Sequence, residues 1–281
     1  MQNSFKDRFL TSIQYIIPQH LLSKLVLKLT RLQWGRFTHW LIKRFIKYYN
    51  VDMSIANLPE ISNYASFNQF FTRALNPIAR PLATGIVSPV DAEISQIGKI
   101  EVDNLLQAKG HSFKLTDLLG GNKEVSSLFE QGLFCTLYLS PKDYHRIHTP
   151  VTSKLTDMIY VPGRLFSVNQ RTTRVIPNLF ARNERLICIF ETEFGPMALI
   201  LVGAIFVGSI ETKWTGEINH LSQIKHWHYK EAPHLQLGAE LGRFNMGSTV
   251  IMLLNSKRIA WLPEQCKSKK VLMGQQLACL L

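Results

Sequence analysis

Three short segments, far apart in the chain, carry residue types that could do chemistry together. SPVDAEI (88–94) presents Asp91 on a proline-containing turn ahead of a strand. SPKDYHRIHTP (140–150) holds His145 and His148 at an i, i+3 spacing, flanked by prolines. GRFNMGSTVIML (242–253) sets Gly247 and Ser248 at the opening of a strongly apolar run. Singly, each has an ordinary explanation: a carboxylate capping a turn, one satisfied buried imidazole beside an exposed one, a Gly-Ser turn before a strand. Jointly, Asp, His and Ser are the set that activates a serine oxygen, with imidazole as general base and carboxylate to orient it. Residue types alone do not bring the segments together in space.

The elements that must position them differ along the chain. Its 281 residues are 46% apolar and 19% charged, which suits one large globular domain or a domain with a small appendage. Cys135, Cys188, Cys266 and Cys279 are widely spaced, with no zinc-ligand pattern, so they read as buried thiols in a reducing compartment, and no metal is expected. The formal charge is +12, and the first 50 residues hold nine Lys and Arg against Asp7 alone. Such a block favours an anionic partner. Leu10, Ile13, Ile17, Leu21, Leu25 and Leu29 recur at helical spacing, interrupted by Pro18, which predicts two amphipathic helices, the second starting near Gln19. A third is expected from about Gly35 to Tyr49, with Phe37, Leu41, Phe45 and Tyr48 on one face and Trp34 and Trp40 suited to a headgroup interface. These helices either pack on the body with a solvated basic face or lie in a membrane surface, lysines over anionic lipid. No nucleic-acid signature accompanies them, so nucleic acid is not expected as a partner.

After about residue 55 the texture becomes β-rich and proline-punctuated, in runs such as GLFCTLYLS (132–140) and RLICIFET (185–192). The expected fold is α+β, N-terminal amphipathic helices (1–55) packed on a mostly antiparallel β-rich catalytic domain (56–281). The most apolar stretch, PMALILVGAIFVG (196–208), is too short to span a bilayer and reads as two buried strands or one bent strand with Gly203 at the bend. With no secretory signal visible, a cytoplasmic protein is expected.

SPVDAEI, SPKDYHRIHTP, VGAIFVGSIETKW (202–214) and GAELGRFNMGSTV (238–250), in that order and joined by FNQFFTRALNPIARP (67–81), resemble the bacterial phosphatidylserine decarboxylase proenzymes. The resemblance implies that Ser248 attacks the carbonyl of Gly247 and that β-elimination splits the chain into a β chain, 1–247, and an α chain, 248–281. It further implies that Ser248 becomes a covalent pyruvoyl cofactor, which forms a Schiff base with phosphatidylserine and accepts the electrons released with CO₂, leaving phosphatidylethanolamine. Carried over position by position, an Asp91–His148–Ser248 triad drives the cut, and His145 is the candidate acid that protonates the product carbon. Gly247, without a Cβ, can take the strained dihedrals such an attack needs.

The sequence departs from the family pattern at Met246, where leucine is usual, at Ala92 for glycine and at Gln69 for glutamate; none removes a proposed catalytic group. Implied partners are phosphatidylserine, an anionic membrane surface at the cytoplasmic face of the cell membrane, the two chains of one precursor and a possible homodimer. A serine hydrolase would use the same three residues without self-cleavage, but G-x-S-x-G is absent. A catalytically dead membrane-surface module would have lost Asp91, His148 or Ser248, and all three are present.

Overall fold

The computed structural model describes residues 5–108, 111–206, 209–231, 233–246, 249–255 and 257–281. Three helices open the chain: α1 (Phe5–Ile16), α2 (Gln19–Arg31) and α3 (Arg36–Tyr49). Pro18 separates the first two, as expected, because it removes a donor and clashes with a preceding turn. Asn50, in the left-handed conformation, ends α3. A short α4 (Phe67–Phe71), capped by the Ser66 hydroxyl on Gln69 N–H, follows.

The body is built on antiparallel sheets, the two largest of nine and four strands, with a three-stranded sheet and a two-stranded ribbon beside them. In the nine-stranded sheet the order runs Lys225–His228, Ser153–Val161, Arg185–Thr192, Gly195–Val202, Thr249–Leu254, Leu133–Tyr138, Ala92–Lys99 and Lys270–Val271, with His234–Leu235 also on Ser153–Val161. Its central strand Thr249–Leu254 is buried at every position, so both faces are covered and the sequence shows a continuous apolar run instead of alternation. The four-stranded sheet runs Gly216–Ile218, Ser209–Thr212, Glu240–Asn245 and Arg146–His148. The apolar stretch at 196–208 contributes one strand, Gly195–Val202, which stops at Gly203. A Cβ at Gly203 would sit 3.2 Å from the Glu184 carbonyl oxygen and from Leu165.

The helical layer is amphipathic in the reverse sense from a soluble one. The residues it buries are largely polar: Thr11, Gln19, Ser23 and Thr38, with Leu27 and Ile42. The apolar stripe points away from the body, leaving Leu21 68%, Leu25 51%, Trp40 50% and Tyr48 80% exposed. Side-chain hydrogen bonds dock it: Gln14 Oε1 accepts from Ser167 N–H, Gln19 Oε1 from Leu165 N–H, and Ser23 Oγ from Phe206 N–H. α3 has an apolar seat, where Ile42 joins a cluster with Val51, Tyr64 and Phe70. Among the described residues no helix is long and apolar enough to cross a membrane.

The cysteines need a correction. Cys135 and Cys188 are buried, and burial pushes both thiols up in pKa, but Cys266 is exposed and Cys279 half-buried. The last two lie outside the nine-stranded sheet, Cys266 in the loop before Lys270–Val271 and Cys279 near the end of Gln276–Leu280, the middle strand of a three-stranded sheet.

Candidate active site

The strand Glu240–Asn245 ends the small sheet and Thr249–Leu254 begins the centre of the large one, so the intervening link joins the two sheets. Gly247 and Ser248 lie in that link and outside the described residues. Met246, just before them, has φ +82°, a left-handed conformation that costs a side chain of this kind about 1–3 kcal/mol. Gly242 lets the strand come close to its neighbour, since a Cβ there would lie 2.1 Å from the Glu211 carbonyl oxygen.

The histidine segment spans the same junction. It leaves the large sheet after Tyr138, the partner of Thr249, and joins the small sheet as Arg146–His148, paired with Glu240–Asn245. The Asp91 turn is tied to it by the His148 N–H donating to the Pro89 carbonyl at 2.9 Å. Gly238 and Ala239 are tied by backbone bonds to Thr149. Three segments separated by some 150 residues of chain thus meet at one place, up to Met246.

The two imidazoles have opposite environments. His148 is half-buried and satisfied: Nδ1 meets the Gly238 carbonyl at 2.7 Å and Nε2 the Tyr144 hydroxyl at 2.9 Å. Since a carbonyl only accepts, Nδ1 carries the proton and Nε2 is the lone pair. Burial lowers the His148 pKa, keeping it in the neutral form a base requires. His145 is 1% exposed, stacked on Phe71 at 4.1 Å between centroids, and neither ring nitrogen makes a well-formed hydrogen bond among the described residues, although the Ser140 and Pro141 backbone lies close enough to pull its pKa upward. Burial and, secondarily, the nearby Arg73 guanidinium lower its pKa to about 3. The ordinary explanation, a satisfied buried imidazole beside an exposed one, does not describe this pair: the more buried ring is the less well hydrogen-bonded.

Asp91 is buried but does not hold His148. Arg80 chelates its carboxylate, Nε to Oδ1 at 2.9 Å and Nη2 to Oδ2 at 2.5 Å, and Met273 N–H donates to Oδ1 at 2.8 Å. That fork is the stronger partner for a carboxylate, and the Gly238 carbonyl takes the orienting place on the imidazole. Gly238 has φ +77° and a Cβ there would lie 2.5 Å from Leu82, so only glycine fits where that carbonyl must point. Register also separates the histidines. His148 lies across from Glu240 at the start of its strand, whereas the His145 carbonyl accepts from Phe244 N–H near the end that leads to the link.

Other buried polar atoms near the link lack partners. Asn68 Nδ2 donates to Asn245 Oδ1 at 3.1 Å while its own Oδ1 is unpaired, as is Arg73 Nε. Orphaned buried polar groups of this density mark a place built for a polar occupant. Beside them a cavity of about 580 Å³ is lined by Arg73, Arg80, Asp91, Tyr138, Asp143 and Tyr144. A larger apolar groove of about 1000 Å³ runs between α2 and α3, past Leu29, Phe37, Leu41, Phe45 and Tyr48. Reading motifs missed Arg80, Arg73, Tyr144 and Gly238. Arg73 and Arg80 sit in a segment already singled out, but a backbone carbonyl has no residue signature.

The junction of the two sheets, with Met246 at φ +82° and a neutral and a desolvated imidazole on the segment paired to the preceding strand, defines a candidate acyl-activating site carried on an α+β fold. Comparison with known proteins is specific: the phosphatidylserine decarboxylase family model matches residues 67–279, and a second, described only as PSD, matches residues 9–50. The chain is 50% identical over 282 residues to a phosphatidylserine decarboxylase proenzyme of Bordetella pertussis, covering 98% of this chain and 95% of that one. It is 50% identical over 275 residues to one from Dechloromonas aromatica, covering 96% and 98%. The Pseudomonas putida proenzyme is 48% identical over 285 residues, covering 97% and 98%. The chain belongs to the phosphatidylserine decarboxylase family.

Proposed function

We propose that this chain is a proenzyme that cuts itself between Gly247 and Ser248 and then decarboxylates phosphatidylserine to phosphatidylethanolamine. The observation that carries the reading is the convergence of the Asp91, His145–His148 and 238–246 segments on the link that holds this bond. In the first stage His148, neutral and with its Nε2 lone pair fixed by the Gly238 contact, removes the Ser248 proton, and Tyr144 stands on that nitrogen as a relay. Asp91 acts through Arg80 and through the field it places near the imidazole, not by a direct bond. Strain at Met246 raises the energy of the uncut link and is released by the cut.

The orphaned atoms of His145, Arg73 and Asn68 fit a polar prosthetic group derived from Ser248. A pyruvoyl group supplies an electron sink for decarboxylation when formed there. His145 is the candidate acid for the substrate carbon, protonated once a bound carboxylate or phosphate raises its pKa from about 3; its burial excludes water from that step. Arg73, Lys142 and Lys270 give the cavity charge for the phosphate and carboxylate of the headgroup, and Asp143 and Glu93 suit its ammonium.

Residues 1–55 serve as the membrane-association region and 56–281 as the catalytic region. With the apolar faces of α2 and α3 exposed and Lys24, Lys28, Arg36, Lys43 and Lys47 around them, the layer suits a peripheral seat on anionic lipid at the cytoplasmic face. The groove between α2 and α3 has room for acyl chains on that same side.

Intact-mass analysis tests the proposal. Wild-type protein should give fragments 1–247 and 248–281 with the second blocked at its N-terminus, and Ser248→Ala a single chain of about 32.2 kDa. One uncut chain in an active wild-type sample would sink the reading. A second reading rests on the register, which sets the His145 carbonyl beside Phe244, nearer the link than His148: His145 would then be the base for the cut. Loss of cleavage in His145→Ala with cleavage kept in His148→Ala would select that reading.

A further inference from the structure

On the opposite side of α2 from the apolar groove, three side chains from distant parts of the chain turn their donor atoms toward one another. His20 stands at the start of α2, Glu184 just before the strand Arg185–Thr192, and His220 in the loop after Gly216–Ile218. One ligand atom from each lies within 4.8 Å of the others. Neither the proposed cut nor the decarboxylation uses any of them.

The His20 ring is oriented by its far nitrogen. Nε2 meets the Gly163 carbonyl at 2.9 Å, and since a carbonyl only accepts, Nε2 carries the proton. Nδ1 is then a bare lone pair, and it faces Glu184 Oε2 at 3.8 Å. A lone pair turned toward a carboxylate oxygen is repulsive unless a cation lies between them. A carbonyl holding the remote N–H is also the arrangement that fixes a metal-binding histidine in its tautomer. His220 Nδ1 meets the same oxygen at 2.7 Å, with the Tyr160 hydroxyl 3.3 Å from that nitrogen, and the two imidazoles lie 4.0 Å apart between centroids. Donors on a tetrahedral ion with bonds of about 2.0–2.1 Å sit roughly 3.3 Å apart, so the His20–Glu184 pair must close and the His220–Glu184 pair open by about half an ångström, while the two histidine nitrogens, within 4.8 Å, must also settle to that spacing. Glu184 is 8% exposed, and a cavity of about 340 Å³ adjoins the cluster.

We infer that His20, Glu184 and His220 bind a divalent transition metal of borderline softness, with zinc the reference ion, and so clip α2 to the β body. Two imidazoles and a carboxylate are the donor set such ions prefer, and three protein ligands leave one coordination position toward the cavity. Lys24, Lys28 and Arg31 line that cavity, Arg31 being paired with Glu217 at 2.8 Å. Their charge opposes a bare dication, and favours an anion as its fourth ligand.

The test uses the full chain with His226→Gln and His228→Gln, because that exposed pair, both on Asp157 Oδ1 at 2.8 and 3.0 Å, would also take the ion. Zinc is titrated against a chromophoric chelator while the thermal midpoint is followed. One zinc should bind and raise the midpoint, and adding His20→Ala or His220→Gln should weaken binding at least tenfold and abolish the rise. Zinc should also slow proteolysis between α1 and the body. Equal affinity in parent and variants overturns the site, as does a parent that retains no zinc. Should the variants fail to fold, X-ray absorption of the zinc-loaded parent decides: two imidazoles and an oxygen donor at about 2.0–2.1 Å support it, and fewer than two imidazoles reject it.

Discussion

The helical layer and the sheet-to-sheet link bury opposite things. In the link and its neighbours, apolar strands enclose a few polar atoms that lack partners, such as His145 and Arg73 Nε. In the helical layer, Gln19, Ser23 and Thr38 are buried and Leu21, Leu25, Trp40 and Tyr48 are turned outward. A soluble helix would lose stability that way, since each large apolar side chain left in water forgoes about 1.5–3 kcal/mol. The two regions make sense together if the outer medium of the helices is lipid and the occupant of the link is polar. Lipid tails then belong to one region and the headgroup to the other.

Altering the link at its orphaned imidazole should have the largest effect. His145→Ala is expected to leave the 1–247 and 248–281 fragments intact while cutting decarboxylation by about 10²–10⁴, the range one positioned acid supplies. Release of CO₂ from phosphatidylserine vesicles, measured beside a denaturing gel, separates the two stages. Full decarboxylation in that variant would remove His145 from the chemistry.

The Arg80–Asp91 pair comes next. Both side chains are nearly sealed from water, 9% and 8% exposed, so Arg80→Met leaves a carboxylate buried without its charge partner. Breaking one side of such a pair costs roughly 3–5 kcal/mol. Chemical denaturation should show that loss, and the double variant Arg80→Met, Asp91→Leu should recover much of it. A single variant as stable as wild type would mean that Met273 N–H and solvent suffice for Asp91.

The helical layer should respond in the reverse way. Leu25→Glu with Trp40→Glu changes side chains that are half exposed, so unfolding should move little. Binding to vesicles containing anionic lipid should fall tenfold or more, because two apolar contacts are lost and two charges now oppose the surface. A clear drop in thermal stability with unchanged vesicle binding would mean the stripe packs on protein.

Much of this was legible in sequence, and what was not has a physical reason. Pro18 marked the break between α1 and α2 because proline has one backbone signature. The continuous apolar run at 249–254 marked a strand, and the structure shows it buried at every position. Helical periodicity located the stripe of Leu21, Leu25 and Leu29 but not the medium it meets, since a 3.6-residue repeat is the same against protein or lipid. The partner of Asp91 was misjudged for a related reason: Arg80 lies eleven residues away, and only the fold shows that its fork reaches the carboxylate before His148 does. Gly238 contributes a carbonyl, which every residue has.

The smallest expected effect lies in pH dependence, and it separates the two histidines of the link. Folded His145 has a pKa of about 3, whereas in the unfolded chain it titrates near 6.5. Between these values the unfolded state binds the extra proton, so the stability tied to neutral His145 is complete above pH 6.5 and declines as pH falls toward about 3. The slope is at most ~1.4 kcal/mol per pH unit. His148 is shifted in the same direction, so the wild-type curve contains both contributions and only a difference isolates one. His145→Gln should flatten the fall in denaturation free energy between pH 6.5 and 5.5 by about 1 kcal/mol. An unchanged slope would show that His145 takes up its proton without unfolding, and the desolvated environment assigned to the link would have to be abandoned.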